Sequence, residues 1–411
     1  MSPAGFEATD AYRAFNRGRL PPDPYPLYRA MRESEPVHWC DGLRAWVLTR
    51  YDDVLAANRD ARFSSGRSSV NMGALPPAER ERYRDLGEHV GNWLGFTDPP
   101  KHTRMRNLVA GTVTSDLAER LRPRIARIAA ELLEALPEGE DADLLASFAY
   151  PLPATVICEI LGIPEGLRSQ FRRWVEDIAA FVGGAGPYLL GLAERADRSR
   201  RELSELFREL VRSRRARPRD DLLTTLADAQ EQGHLGETEL LGLCVFLFAA
   251  GHETTVGLIA SGIVTLLGHP DQLRRLRAEE SLMPSAVEEL VRYEPPIQQD
   301  TRLLTEDVTV RGRRLERGQT AILGRAAANR DPLQFGRPDR LDLARAENRH
   351  LGFGWGIHFC LGAPLARVEA SIALRALFDA FPRMGLVTPV EWWDNLSLRC
   401  PRSVMVDLRR R

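Results

Sequence analysis

A long apolar helix predicted near residue 240 is the feature that most constrains the fold. Residues Leu240 to Gly251 form an apolar run, and the surrounding pattern predicts a helix that begins near Gly236 and ends at Gly268, with Pro270 beyond it as a stop signal. A helix of about 30 residues is roughly 45 Å long, so it must pass through the core. Because the apolar run is shorter than the 20 or so residues that span a bilayer, we expect a core helix rather than a membrane anchor.

Composition narrows the class of protein. Hydrophobic residues make up 44% of the chain and charged residues 27%, which is typical of a globular protein with a sizeable core. The net charge is −1, so no global field attracts nucleic acid or an anionic membrane. The first ten residues show no signal sequence, and the 5 cysteines are odd in number and scattered, which argues against a disulfide framework. We expect a cytoplasmic protein that binds neither nucleic acid nor membrane.

The remaining pattern is mostly helical, with short strands near both ends. Two β-rich runs flank Asp41-Gly42 and predict a hairpin. From Tyr51 to about Ser213 the pattern is mainly helical, whereas residues 307–323 resemble short strands and tight turns. A helix is predicted from about Gly362 to Phe381, and the alternating tail Leu398–Leu408 suggests an edge hairpin. These features predict one mixed α/β body.

A glycine-dense segment ending in a cysteine is the sharpest chemical signal. Four glycines lie between residues 352 and 362, immediately before a predicted helix, and such density indicates close backbone approach or positive φ. Cys360 lies near the start of that helix, where N–H groups and the helix dipole favour a thiolate. His358 is not obviously aimed at it as a base, and a zinc site would need further ligands nearby. A haem iron needs only one protein thiolate, and a buried structural cysteine remains the alternative.

Polar residues interrupt the long apolar helix. Glu253, Thr254 and Thr255 follow Gly251, and a buried helix that carries them loses stability. One interpretation is a helix that turns a polar face to water. The other is that these polar residues have a functional role inside a buried helix.

Two further pairs of residues are ambiguous on their own. Glu289 and Arg292 share a helical face at i, i+3, a spacing common in surface ion pairs that contribute only about 0.2–0.5 kcal/mol. His102 and Arg106 share a face of a helix for which Asp98 is the expected N-cap. By themselves these two residues are equally consistent with a solvated basic turn.

The segment from Phe353 to Gly362 resembles the haem-binding signature of the cytochrome P-450 family, Phe-Gly-x-Gly-x-His-x-Cys-x-Gly, at every fixed position, and the resemblance extends along nearly the whole chain. It implies a single domain over residues 1–411 with the cytochrome P-450 fold: mainly α with small β-sheets, an α-rich lobe plus a smaller β-rich region. It also implies heme b, iron protoporphyrin IX, with Cys360 as its axial thiolate ligand.

The resemblance assigns roles to the ambiguous residues. Phe353, Gly354 and Gly362 would contact the haem around the cysteine, while His102, Arg106, Arg302 and His358 would bind its propionates. Glu253 would relay protons and Thr254 would hold dioxygen and its water. Glu289 and Arg292 would form a structural triad with Arg340.

The implied reaction is hydroxylation or epoxidation of a small apolar molecule, such as a secondary metabolite, terpene, steroid or fatty acid. Electrons would come from NAD(P)H through a separate ferredoxin and ferredoxin reductase, as in soluble bacterial members, which we expect to be monomeric. The predicted substrate pocket comprises Trp93, Leu94, Val245, Phe246, Ala249, Ala250, Ile297, Gln298, Asn395 and Leu396.

Two alternative functions remain open at this point. A haem-thiolate peroxygenase would usually lack the acid–alcohol pair, so the presence of Glu253 and Thr254 argues against it. A haem sensor or electron carrier would need neither that pair nor a large substrate cavity.

Overall fold

The computed structural model describes residues 5–66, 68–137, 139–183 and 189–408. Helices dominate the described chain. The first half contains α1 (Asp10–Asn16), α2 (Tyr25–Ser34), α3 (Tyr51–Arg59), α4 (Ser68–Ala74), α5 (Pro77–Arg82), α6 (Arg84–Gly91), α7 (Lys101–Ala110), α8 (Ser115–Glu134), α9 (Pro151–Ile160), α10 (Arg168–Val182) and α11 (Leu189–Ala216). The second half contains α12 (Leu222–Glu231), α13 (Glu237–Leu267), α14 (Pro270–Ala278), α15 (Met283–Tyr293), α16 (Arg325–Ala328) and α17 (Ala363–Ala380).

Helix α13 crosses the interior, as the sequence predicts. It runs for 31 residues, and its bounds agree within one residue with the predicted Gly236 and Gly268 boundaries. Glu239 accepts a hydrogen bond from the N–H of Gly236 and so closes the first turn. Of the described helices, α13 alone is apolar and long enough to cross a membrane, but 78% of its most apolar stretch is buried inside the protein. It is therefore the central core helix.

The largest sheet joins the N-terminal part of the chain to residues 300–323. Its strands are β1 (Val37–Cys40), β2 (Ala45–Leu48), β3 (Phe63–Ser64), β5 (Asp300–Leu304) and β8 (Thr320–Leu323), in the order β1-β2-β8-β5-β3. The β1–β2 hairpin around Asp41-Gly42 is confirmed, with Val37 opposite Leu48. Strand β8 pairs in parallel with β2 and antiparallel with β5, so Asp300 lies opposite Leu323. Asp300 and the residues that follow Leu323 take part in the site described below.

The C-terminal tail differs from the prediction. Strand β10 (Met405–Asp407) does not form a hairpin within the tail; it pairs with β4 (Asp141–Asp143) on one side and with β9 (Gly385–Leu386) on the other. The tail does form a strand with a buried residue, Val406, as the alternating pattern predicts. The strands that pair with it, however, lie outside the tail. The third sheet is the small hairpin of β6 (Val308–Val310) and β7 (Arg313–Leu315), inside the range predicted to hold strands.

A buried ion pair anchors the chain that leads to the glycine-rich segment. Arg292 donates to Glu289 from Nε at 2.7 Å, and both side chains are fully buried. The predicted third member, Arg340, is wrong: the side chain of Arg345 donates to Glu289 at 3.0 Å. Arg340 contributes its backbone carbonyl, which accepts from Arg292 at 3.3 Å. Spacing in sequence could not distinguish the two arginines.

The predicted N-cap of α7 is also wrong. Pro100 precedes the first helical residue and makes no side-chain capping bond. The Asp98 carboxylate instead accepts hydrogen bonds from the hydroxyl of Ser64 and from the N–H of Ser65 at 2.9 Å. Asp98 thus ties the start of α7 to strand β3.

Candidate active site

A cavity lies between helix α13 and the glycine-rich segment. Thr254 and Ala250 of α13 line one part of its wall. Cys360 and Phe353 line another, and α17 contributes Leu365. A concave space bounded mainly by apolar side chains, with a few polar groups converging on it, is typical of a cofactor or substrate site.

The glycine-rich segment presents Cys360 to this cavity. Gly354 and Gly356 have φ values of 73° and 70°, which side chains other than glycine rarely tolerate. The N–H of Cys360 donates to the carbonyl of Phe353 at 2.9 Å, which closes the loop. The other four cysteines are buried in packed regions, whereas Cys360 is exposed to the cavity that it lines. Helix α17 begins three residues later, so the cysteine precedes the helix rather than opening it.

The ionisation of the Cys360 thiol reflects opposing effects. Burial raises its pKa, while a hydrogen bond from the Gly362 backbone and the charges of Arg325, Arg367 and Arg106 lower it. Burial is the largest of these effects and raises the pKa of the thiol overall, while the backbone and the three arginines offset part of that rise.

Two histidines face each other at the cavity. The rings of His102 and His358 have centroids 4.3 Å apart, and both residues line the cavity. Burial, followed by the charge of Arg302, lowers the pKa of His358 to about 3, and burial followed by Arg106 lowers that of His102. Each Nε2 is buried without a hydrogen-bond partner among the described residues. Two neutral imidazoles thus offer nitrogen atoms to a ligand.

Arginines surround these histidines. Arg106 lines the cavity and donates to the carbonyl of Phe359 at 2.9 Å. Arg302 is 4% exposed and lies behind the wall, where its guanidinium donates a hydrogen bond to Asn58 Oδ1 at 3.3 Å. The four residues predicted to bind propionates are therefore brought to one end of the cavity, three in its wall and Arg302 immediately behind.

The polar side chains of α13 do not all face the cavity. Thr254 lines the cavity, and its hydroxyl donates to the carbonyl of Ala250 at 2.8 Å. Thr255 also reaches the wall. Glu253 is 3% exposed and is not among the described residues of the wall; its Oε1 has no hydrogen-bond partner there and lies 3.4 Å from His252 Nδ1. The acid and the alcohol are adjacent in sequence, but only the alcohol faces the cavity.

The predicted substrate pocket is only partly brought together. Leu94, Phe246, Ala250 and Ile297 line the cavity. Six others do not belong to its described wall: Trp93, Val245, Ala249, Gln298, Asn395 and Leu396. Leu396 packs with the N-terminal aromatic residues, and Gln298 donates to the carbonyl of Pro295 at 2.7 Å. Asn395 caps its own turn through the N–H groups of Ser397 and Leu398.

Sequence reasoning missed two ionisable residues of the wall, Arg325 and Glu369. Arg325 is paired with Asp300 at 2.5 Å, and the strand pairing that joins them involves residues far apart in sequence. Glu369 is 1% exposed, and burial raises its pKa well above the ordinary value. A lone acid on the apolar face of α17 is a signal that the sequence does contain.

This donor set fits a largely apolar group with anionic substituents. One sulfur faces an apolar space, and neutral imidazoles and guanidinium groups gather at one end, where carboxylates would be bound by charge-assisted hydrogen bonds. A haem held by Cys360 has this chemistry, with propionates that His102, Arg106, Arg302 and His358 would bind.

Comparisons with known proteins agree with this assignment. Residues 67–383 match the family model described as Cytochrome P450. The chain is 39% identical to 6-deoxyerythronolide B hydroxylase of Saccharopolyspora erythraea over 92% of this chain and 94% of the relative. It is 40% identical to mycinamicin IV hydroxylase/epoxidase of Micromonospora griseorubida, over 92% and 94% respectively.

A solved structure shows the same fold. It is that of CYP109E1 from Bacillus megaterium in complex with testosterone, with a TM-score of 0.85 and 32% identity over 98% of this chain and 100% of that one. The predicted fold, mainly helical with small sheets, is confirmed. The chain therefore belongs to the cytochrome P450 family of monooxygenases and takes a cysteine-ligated haem as its cofactor.

Proposed function

We propose that this monooxygenase hydroxylates or epoxidises an uncharged macrolide-type secondary metabolite. The observation that carries the proposal is the absence of charge from the part of the described cavity wall that α13 and its neighbours form. Leu94, Phe246, Ala250 and Ile297 are apolar, and the polar side chains of this part are the uncharged Thr254 and Thr255. The ionisable side chains instead contact the cysteine loop or lie on α17.

Such a wall selects a ligand by shape and apolar area rather than by charge. Two relatives about 40% identical are named for hydroxylation or epoxidation of 6-deoxyerythronolide B and of mycinamicin IV. A similar structure holds testosterone, which makes steroids one competing class. Fatty acids, also among the expected substrates, are the other.

A spin-state titration tests the substrate class. Purified protein is titrated with 6-deoxyerythronolide B, mycinamicin IV, testosterone and myristic acid, and the shift of the haem absorption band is recorded. At least one macrolide should bind tenfold or more tightly than testosterone and myristic acid. Tighter binding of testosterone or of myristic acid would overturn the proposal.

A cavity-filling variant checks that the shift reports on this cavity. Ala250→Leu adds three carbons to the wall and should weaken macrolide binding, because the added volume displaces ligand. Ala216→Leu adds the same atoms at an exposed helix end and should leave binding unchanged.

The residues of the site divide the work of the reaction. The haem supplies the redox chemistry of oxygen activation, and the Cys360 thiolate donates electron density to its iron. Thr254 orients a proton donor at the cavity wall, Glu253 holds the proton supply behind it, and the apolar residues exclude water. His102, Arg106, Arg302 and His358 fix the propionates.

We further propose the cellular setting. Enzymes of this type take electrons from protein redox partners. Here the donors are a ferredoxin and its reductase, which draw on NAD(P)H, and the enzyme is a cytoplasmic monomer whose residues 1–411 form one domain. Product formation with NADH, ferredoxin and reductase tests the donor. Turnover with hydrogen peroxide alone at an equal rate would instead indicate a peroxygenase.

A further inference from the structure

We propose that Asp300 and Arg325 form a charge-compensated pair that tunes the reduction potential of the haem iron. This inference rests on the cysteine-ligated haem site and adds to it two residues that the sequence motifs do not include. Arg325 supplies positive charge beside the cysteine loop, and Asp300 offsets it.

The sheet brings the two residues together. Asp300 on β5 lies opposite Leu323 on β8, and Arg325 begins α16 two residues beyond Leu323. Both Nε and a terminal nitrogen of Arg325 lie 2.5 Å from Asp300 Oδ2. Each side chain is only 11% exposed, so solvent screens the pair weakly.

Arg325 also lies against the backbone of the cysteine loop. It lines the same cavity as Cys360, and one of its terminal nitrogens donates to the carbonyl of Gly352 at 3.3 Å. A Cβ added to Gly354 would come within 3.0 Å of the guanidinium. Between these glycines lies Phe353, whose carbonyl accepts from Cys360 N–H. A charge at this position acts on the thiolate and hence on the iron.

Asp300 stands between two cations. Besides its pair with Arg325, its Oδ2 lies 3.9 Å from a terminal nitrogen of Arg302. Asp98 also acts on both Arg302 and His358, but its carboxylate already accepts hydrogen bonds from Ser64 and Ser65. Removing the charge of Asp300 therefore leaves the surrounding guanidinium groups undercompensated.

The sign of the effect follows from electrostatics. Positive charge near the iron favours the ferrous state, which carries one more electron, and negative charge favours the ferric state. Asp300 therefore lowers the reduction potential and Arg325 raises it. Because the two charges oppose each other, their effects should cancel when both are removed.

A double-mutant cycle on the haem-loaded protein tests the pair. Asp300→Asn, Arg325→Gln and the double variant are compared with wild type by spectroelectrochemical titration of the haem. Asp300→Asn should raise the midpoint potential, Arg325→Gln should lower it, and the double variant should lie between the two.

The exposed pair of Asp307 and Arg314, also joined at 2.6 Å, provides the matched control. Asp307→Asn and Arg314→Gln should leave the potential unchanged, since solvent screens them. If the two single variants of the buried pair shift the potential in the same direction, or no more than these controls, the pair is only structural and the proposal fails.

Two further measurements separate the effect of charge from that of geometry and test the haem-thiolate site on its own. Arg325→Lys keeps the charge but loses the fork of nitrogen atoms, so its potential should stay closer to wild type than that of Arg325→Gln, even if haem dissociates faster. The absorption band of the reduced carbonyl complex is recorded first. Absence of the thiolate-type band in wild type would refute the haem-thiolate site itself, independently of the pair.

Discussion

The guanidinium group of Arg292 donates two hydrogen bonds to the carboxylate of Glu289, at 2.7 and 2.8 Å, and both side chains are fully buried. The remaining donors of Arg292 bond to the carbonyls of Asn329 and Pro338, both at 2.8 Å. The pair thereby joins α15 to the segment that leads into the cysteine loop. Arg345 is a second cation on the same carboxylate, at 3.0 Å, so loss of Arg292 would remove the more deeply buried of the two partners of Glu289.

We expect Arg292→Gln to destabilise the protein by roughly 3 kcal/mol, because the buried carboxylate of Glu289 would keep only Arg345 as a cationic partner and the carbonyls of Asn329 and Pro338 would lose their donor. The measurement is the thermal unfolding midpoint, followed by circular dichroism. Arg122→Gln is the control, since Arg122 makes a similar two-bond pair with Glu119 at the surface, also three residues apart. Equal shifts in the two variants would contradict a buried, structural role.

Cys360→Ser should abolish the red-shifted absorption band of the reduced carbonyl complex, because among the cysteines only Cys360 lines the cavity. Cys158→Ala, at a buried cysteine of α9, should retain that band. A thiolate-type spectrum that survives in Cys360→Ser would show that another residue is the ligand.

Local sequence signals predicted the elements that carry the site. The bounds of α13 and α17 follow from apolar periodicity and from Gly268 and Pro382, and the β1–β2 hairpin follows from Asp41-Gly42. Each of these signals lies within the element that it predicts. Sequence patterns were therefore sufficient wherever local propensity and burial agree.

Features that depend on long-range contacts could not be predicted in the same way. Arg340 and Arg345 are equally plausible partners for Glu289 until the fold shows which side chain points inward. Arg325 meets Asp300 only through the pairing of β5 with β8. Asn395 and Leu396 lie in a tail whose course depends on packing against the N-terminal aromatic residues and on the pairing of Leu398 with Ile297.

His102→Ala and Arg106→Gln should each weaken haem binding, since each removes one charge-assisted bond to a propionate, worth about 1.5–3 kcal/mol, or roughly ten- to a hundredfold in affinity. Haem transfer to apomyoglobin measures the loss. Arg104→Gln on the same helix is the control, because Arg104 pairs with Glu239 instead. Unchanged haem retention in both site variants would contradict a role for His102 and Arg106 in binding the propionates.

Acid sensitivity should depend on His89, whose pKa burial lowers to about 3, with a further contribution from Arg200. An unfolded histidine titrates near 6.5, so below that pH the unfolded state gains a proton that the folded state does not. Stability therefore falls as pH drops from about 6.5 towards 3, by roughly 2 kcal/mol at pH 5.

Replacing this histidine should remove that component of the acid sensitivity. The unfolding free energies of wild type and His89→Gln are compared at pH 7.5 and pH 5, and the variant should lose less stability between them. His234→Gln, at an exposed position, should retain the wild-type pH dependence. An identical loss in wild type and His89→Gln would refute the assignment.

The last prediction concerns the coupling of electron flow to product. Thr254 faces the cavity, and its hydroxyl donates to the Ala250 carbonyl, so its oxygen can accept a hydrogen bond from a water in the cavity. Thr254→Val keeps the side-chain shape but removes the hydroxyl, whereas Thr254→Ser keeps the hydroxyl. We expect haem binding and substrate affinity to be nearly unchanged in both variants.

The two variants should differ in how they use electrons. Thr254→Val should still consume NADH and oxygen but release peroxide in place of product, because ordered proton delivery is lost, while Thr254→Ser should remain largely coupled. Glu253→Gln should instead slow turnover, since Glu253 lies behind the wall and supplies protons rather than ordering the water. The measurement is the ratio of product to NADH consumed, with the peroxide yield. Full coupling in Thr254→Val would mean that the hydroxyl is structural, or that the substrate supplies one itself; in the second case a substrate analogue lacking its hydroxyl would uncouple the wild-type enzyme.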